Sequence, residues 1–314
     1  MSRVSSGAQD YTIAPAADFI LSFDLPLAGL RGRLVRLAAV STRALEAHVL
    51  PEPAARVAAE TSVLAALLGS ALKLGGRLSV QTKSTGPLDL VTADYFGAEA
   101  NRPAGLRAYA RVDEQRLTSL GETHPPFATM AGEGVVAITI DPASGGQRYQ
   151  GIAPLARGSI AASAEAYFAQ SEQLPTAIRL AAAPIYAPGH ARADWVAGGL
   201  MLQATPEGRV DAGEWERLAA FLASVEDMEL VDISLAAETL LWRLFHEDEV
   251  RVHPSEAISF RCDCDSARIA GVLRAYGDSE LEGLADPDGI IRARCEFCGR
   301  LHEIDRTELT PSAQ

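Results

Sequence analysis

The chain is poor in cysteine: it has four in 314 residues, and none stands alone. It has no G-x-x-x-x-G-K-[ST] string, so nucleotide binding by a P-loop has no support. It also lacks a G-x-S-x-G elbow, which removes hydrolases built on that turn. Its most apolar run, Val63 to Leu74, is short and broken by Gly69, Ser70 and Lys73, so it is not expected to span a membrane. Residues 1–17 show no basic stretch followed by an apolar one, so no secretory signal is expected and the setting should be cytosolic. Basic residues are outnumbered, 28 Lys and Arg against 41 Asp and Glu, for a net charge of −13.

That charge is localised. Residues 1–206 carry 17 acidic and 17 basic side chains, whereas residues 207–314 carry 24 acidic and 11 basic ones. All four cysteines lie in the acidic part. An acidic surface repels phosphate backbones, which argues against nucleic acid as a partner of the cysteine region. The length makes two domains, or one with appendages, the default. An apolar content of 48% is enough for a sizeable core.

The pattern along the chain indicates an α+β class. Residues 1–17 read as a mobile tail, 18–206 as an α+β core domain, 207–250 as an acidic linker and 251–314 as a small cysteine module. Between Asp18 and Val49 a strand is expected before a helix. Pro53 fits the first turn of a buried helix running to about Leu74, stopped by Gly75-Gly76. The small residues of that helix permit close approach of another element, from the same domain or from a second subunit. From Arg77 to Ile152 the period changes to two, giving five strands of an antiparallel sheet, with Ser144-Gly145-Gly146 as a hairpin turn. Ser159 caps a helix from Ile160 to about Gln173. A strand pair follows, and Pro206-Glu207-Gly208 marks the end of the domain.

Residues 207–250 hold 12 acidic and 3 basic residues around two amphipathic helices, Glu214 to Val225 and Leu235 to His246. Trp215, Leu218 and Leu222 form one apolar stripe; Leu240, Leu241 and Leu244 form the other. Short helices of this kind fold when the stripe is docked, so the segment reads as conditional. The stripes and the neutral front domain are both candidates for a surface that binds other proteins.

The cysteines form one C-x-C, Cys262-Asp263-Cys264, and one C-x-x-C, Cys295-Glu296-Phe297-Cys298. In a reducing compartment such pairs indicate metal or redox chemistry rather than a structural disulfide. Four thiolates suit one tetrahedral Zn2+ at Zn–S of about 2.3 Å, a closed structural site. The sulfurs of such a site lie about 3.8 Å apart, whereas a disulfide needs about 2.05 Å. A bond within either pair is therefore incompatible with the metal, and oxidation must eject it. Structural zinc contributes roughly 10–16 kcal/mol in small metal-folded peptides, so its loss should unfold the module.

Several strings together give the chain a recognisable signature. Leu240-Leu241-Trp242-Arg243-Leu244-Phe245-His246-Glu247 precedes the cysteine pairs; Arg148-Tyr149-Gln150-Gly151, Tyr167 to Thr176 and Gly198-Gly199-Leu200-Met201-Leu202-Gln203 lie upstream. With the C-x-C and C-x-x-C pairs, the chain resembles the redox-regulated 33 kDa heat-shock chaperonin family from about Leu34 to Ile304. The resemblance implies an ATP-independent holdase without enzymatic activity. It implies one Zn2+ per chain on Cys262, Cys264, Cys295 and Cys298 in the reduced, inactive form. It further implies disulfides Cys262–Cys264 and Cys295–Cys298 on oxidation, release of zinc, unfolding of module and linker, and dimers that bind unfolding proteins. Residues 1–17 are longer than the family leads one to expect, and 183–195 read as an insertion.

Two other classes remain. One is a thiol–disulfide oxidoreductase using Cys295 and Cys298, though no thioredoxin-like βαβ context surrounds them. The other is an interaction module with inert zinc. Three histidines complete the candidates. His302 is expected on a strand surface rather than on the metal, His246 at a helix C-terminus or in a linker contact, and His124 in a loop.

Overall fold

The computed structural model describes residues 18–309 apart from 73, 74, 144, 190, 191 and 206–209. The N-terminal tail, the end of the first long helix at Leu74, Ser144 of the hairpin turn and the Pro206-Glu207-Gly208 boundary therefore lie outside the described residues.

The chain opens with β1 (Phe19–Leu25) and β2 (Leu30–Leu37), then α1 (Ala39–Glu46) and α2 (Glu52–Ala71). Two strands thus stand where one was expected. They are joined by a tight turn in which Gly29 takes φ +65°, a conformation costly for residues with a Cβ. The next strands are β3 (Gly76–Ser84), β4 (Leu88–Phe96) and β5 (Ala104–Val112). Short helices α3 (Glu114–Thr118) and α4 (Phe127–Ala131) lead into β6 (Gly134–Pro142) and β7 (Tyr149–Pro154). Helix α5 (Ile160–Tyr167) is capped by the Ser159 hydroxyl, which accepts from Ala162 N at 3.0 Å. It ends in a π-helical turn, Phe168–Glu172, closed by left-handed Gln173 at φ 52°. The hairpin β8 (Thr176–Ile185) and β9 (Asp194–Ala204) absorbs both ends of the expected 183–195 insertion.

The acidic segment forms α6 (Ala212–Ala223), α7 (Asp227–Val231) and α8 (Ala237–Phe245). The remaining elements are β10 (Arg251–Val252), β11 (Glu256–Phe260), α9 (Ser266–Leu273), α10 (Asp278–Leu284), β12 (Ile290–Arg294) and β13 (Leu301–Asp305). Among the described residues, 11 strands form one sheet in the order β7-β6-β3-β4-β5-β11-β1-β2-β9-β8, with β10 attached to β1. All its pairings are antiparallel except β11 with β5. The α+β class is as the sequence indicated. Strand β11 joins the two halves of the sheet and leads straight to Cys262, a placement without local sequence signal.

Strands β2 and β9 are buried on both faces. Val35, Ala197 and Met201 face the core built on α2, while Leu34, Leu200 and Leu202 face a second core beneath the acidic helices. Gly198-Gly199 explains how two layers approach one strand. A Cβ on Gly198 would fall 2.2 Å from Leu230 O of α7, and one on Gly199 would fall 2.6 Å from Val63 of α2. The Arg148–Gly151 and Tyr167–Thr176 strings also meet: Gly151 lies under the Tyr167 ring, and Tyr149 and Tyr167 hydroxyls both donate to Glu172. Helix α2 is long and apolar enough by composition to cross a membrane, but 78% of that window is buried inside the protein.

Burial raises the carboxyl of half-buried Glu60, midway along α2, to about 7, with Asp227 adding to the rise and Arg56 opposing it. The folded value then exceeds the unfolded one, so the folded state binds the extra proton between the two. Stability should be greatest below about pH 4.5 as far as this group is concerned, and fall as pH rises to 7. Glu60→Gln is expected to stabilise the protein at pH 8 by about 1–3 kcal/mol and not at pH 4.5. Urea unfolding at the two pH values checks this, and an equal effect at both would contradict it.

Candidate metal centre

The first cysteine pair is delivered by the sheet. Beyond Phe260 the chain stays tied to β5, with Arg261 N donating to Leu106 O at 2.8 Å. The Arg261 side chain packs where Gly105 has no Cβ and bonds to Glu99 and Asp263. Cys262-Asp263-Cys264 follows, outside any regular element, until Asp265 caps α9, accepting from Arg268 N at 2.7 Å. Both of its sulfurs reach the same point.

The second pair sits on the turn between β12 and β13. Gly299 N donates to Cys295 O at 2.9 Å, and Cys295 N donates to Arg300 O at 2.9 Å. Gly299, at φ +70°, closes the turn against Ala47, whose Cβ lies 3.2 Å from where a Gly299 Cβ would stand.

The four sulfurs converge, all within 4.8 Å of one another. Two close contacts run between the pairs, Cys264 to Cys298 at 3.4 Å and Cys262 to Cys295 at 3.7 Å. Both separations lie slightly under the roughly 3.8 Å edge of a zinc tetrathiolate and exceed a disulfide bond by far. Burial raises the thiols of Cys262 and Cys264 above their ordinary value. At Cys298 burial acts the same way but is outweighed by the Arg300 amide and hydrogen bonds from neighbouring thiols, so its value falls. Four thiolates at this spacing would repel one another strongly without a cation among them. An all-sulfur donor set at this spacing fits a soft or borderline dication such as zinc.

His302 corrects the sequence expectation. It is 5% exposed, not on the strand surface, and its Nε2 lies 3.4 Å from Cys264 Sγ. Its Nδ1 meets Ser266 Oγ at 3.2 Å, so with Ser266 donating, the Nε2–H points at the sulfur. That arrangement orients a ligand rather than supplying one. His246 caps the C-terminal end of α8, exposed and 5.5 Å from Trp242. His124 lies in an exposed bend.

On the opposite side of the sheet from α2, the acidic helices are firmly docked. Leu218, Leu222, Leu240 and Leu241 are fully buried, and Trp215 and Leu244 are partly buried beside them. Arg36, invisible as a candidate in the sequence, anchors them. Its guanidinium donates to the carbonyls of Glu229 (3.0 Å), Leu230 (3.3 Å) and Leu235.

Comparison with known proteins identifies the family. The family model described as "Hsp33 protein" matches residues 18–305. The chain belongs to the Hsp33 family. A relative named 33 kDa chaperonin from Caulobacter vibrioides is 37% identical over 92% of this chain and 95% of its own length. One of the same name from Escherichia coli is 34% identical over 86% of each chain. A crystal structure of the Hsp33 homologue from Thermotoga maritima superposes with a TM-score of 0.75 at 21% identity, covering 93% of this chain and 96% of that one. That likeness supports the fold. The Hsp33 signature strings thus have structural reasons here: two glycines that let three layers pack, a tyrosine pair that shares Glu172, and cysteines that meet at one point.

Proposed function

We propose that this chain is a redox-regulated, ATP-independent holdase, held inactive while Cys262, Cys264, Cys295 and Cys298 bind one Zn2+. The observation that carries the reading is the convergence of these four sulfurs, at non-bonded distances, between two segments that share a small core. When bound, the zinc keeps the thiols ionised and cross-links those segments. The chain's own part is to keep each pair close enough to react. Two thiolates of one pair, one hydrogen peroxide and two protons give one disulfide and two waters. A cleft of about 380 Å³ lined by Arg43, Arg102 and Arg300 opens on Cys262 and Cys298, so a dissolved oxidant reaches the sulfurs in the folded state.

Proximity alone does not choose the pairing, because close contacts also run between the pairs. Family resemblance favours Cys262–Cys264 and Cys295–Cys298. Each bond removes two donors, and among the described residues the module's buried core is then Ala270, Leu273, Leu281, Ile291, Ile304 and Leu309. Its unfolding, and that of the acidic helices, would expose the stripes around Leu218, Leu222, Leu240 and Leu241 to unfolding client proteins, with the active form a homodimer in the cytosol. Nucleotide, nucleic acid and membrane have no part in the reading.

Reduced, zinc-loaded protein treated with peroxide at raised temperature is expected to release one equivalent of zinc to a chromogenic chelator. It should then suppress aggregation of a denatured client it ignored before. Equal protection before and after oxidation would rule out the switch, and turnover of a small disulfide substrate would favour an oxidoreductase.

A further inference from the structure

The turn carrying Cys295 and Cys298 is gripped from outside its own module. Phe297, between the two cysteines, lies against the guanidinium of Arg107 on β5, with Cζ 3.9 Å from the ring centroid. That guanidinium is itself fixed. Its Nε and Nη2 donate to Asp94 at 2.7 and 2.6 Å, and it lies 5.3 Å from the Phe96 ring. Its Nη1 stands 3.9 Å from Cys262 Sγ. One side chain from the sheet thus touches both halves of the sulfur cluster, a sulfur of the C-x-C pair and the aromatic ring inside the C-x-x-C pair. The Arg107 side chain is only 12% exposed and that of Asp94 4%, so the contact is little screened by solvent, and cation–π attraction strengthens as it is desolvated.

We propose that Arg107 is a positioning residue of the switch: through Phe297 it restrains the Cys295–Cys298 turn, and through its free Nη1 it steadies Cys262. To form a disulfide the turn must contract and turn its sulfurs toward each other, and Phe297 cannot follow without leaving Arg107. The grip therefore opposes withdrawal of the thiols from the site, and places control of its rate on β5 of the sheet. This rests on the redox-switch reading above. A planar guanidinium is required, because lysine offers charge without a stacking face or a two-pronged hold on Asp94.

The test uses the full reduced, zinc-loaded chain as wild type, Phe297→Leu, Arg107→Lys and the double variant, at a temperature well below unfolding. Zinc transfer to a chromogenic chelator is timed in two arms, one with excess chelator alone and one with peroxide. Each single variant is expected to release zinc about fivefold to thirtyfold faster in both arms, the range of a desolvated cation–π contact. The double variant should be no faster than the faster single one, since the two side chains form one contact. Single variants within about twofold of wild type, or effects that multiply in the double variant, would overturn the proposal. So would acceleration matched by an equal loss of global stability in urea. Phe297→Leu leaves the Arg107–Asp94 pair intact, which protects the test from misfolding of the sheet. If peroxide frees no zinc from wild type, the switch reading fails, while the chelator arm still decides the role of Arg107.

Discussion

Removing the metal with a strong chelator under reducing conditions is expected to unfold the chain from Cys262 onward and to leave the sheet intact. Among the described residues the module has six buried apolar side chains and a two-stranded sheet. A core of this size rarely contributes more than about 3–5 kcal/mol, against roughly 10–16 kcal/mol from structural zinc. Its main hold on the rest of the protein is the contact of the cysteine turn with β5 and Ala47. Strand β11 is different. It is paired on both edges, Ile258 to Phe260 with β5 and Glu256 to Ala257 with β1, and Arg261 N extends the ladder. The boundary of unfolding should therefore fall between Arg261 and Cys262. In hydrogen exchange, amides of Ile258 to Arg261 should stay protected after chelation while those of α9, β12 and β13 exchange freely. Cys298→Ser, which removes one donor, should give the same map without chelator. Loss of protection in β11 together with the module would show instead that metal release opens the sheet between its two halves, and a module that keeps its protection would show that zinc is not what holds it.

What the sequence disclosed and what it hid follow one physical line. The cysteine pairs, the alternation from Arg77 to Ile152 and the leucine stripes are local patterns, and each led to an element found close to its expected place. Contacts made only by the folded chain left no such trace. Strand β11 is five residues whose extended form is stabilised by pairing with β5 and β1. Helix α7 is one turn held by Arg36 from β2, far away in the chain. Arg107 and Phe297 are ordinary residues until the turn docks. His302 was legible in principle: Leu301 and Glu303 point out, so strand alternation places His302 inward with Ile304. The conditional character of the acidic segment rested on its apolar stripes, which are docked here; a stripe alone does not say how deeply it is buried or against what.

Replacing stripe leucines with serine is expected to uncouple client binding from oxidation. Leu218, Leu222 and Leu240 are at most 2% exposed in the core beneath α6 to α8. Each Leu→Ser change removes a buried side chain and leaves a hydroxyl in an apolar site, which costs about 3–5 kcal/mol. The helices have little else to hold them: α6 has 12 residues, α7 has 5 and α8 has 9, lengths at which isolated helices are marginal in water. Two such replacements should therefore release the segment while the α2 core, on the other face of the sheet, stays folded. The reduced Leu222→Ser/Leu240→Ser protein is then expected to keep its zinc, to lose exchange protection across α6 and α8, and to suppress client aggregation without oxidant. Arg36→Met should act in the same direction more weakly, since it removes the hydrogen bonds to α7 but not the apolar contact. Trp242→Ser serves as the control, because Trp242 is 67% exposed on the outer face of α8 and contributes little to docking. A loosened segment with no gain in reduced-state activity would separate docking from regulation and move the client surface to the sheet itself. Activity gained only together with zinc loss would mean that the stripes act through the cysteine site, and that the metal, rather than the buried leucines, keeps the client surface covered.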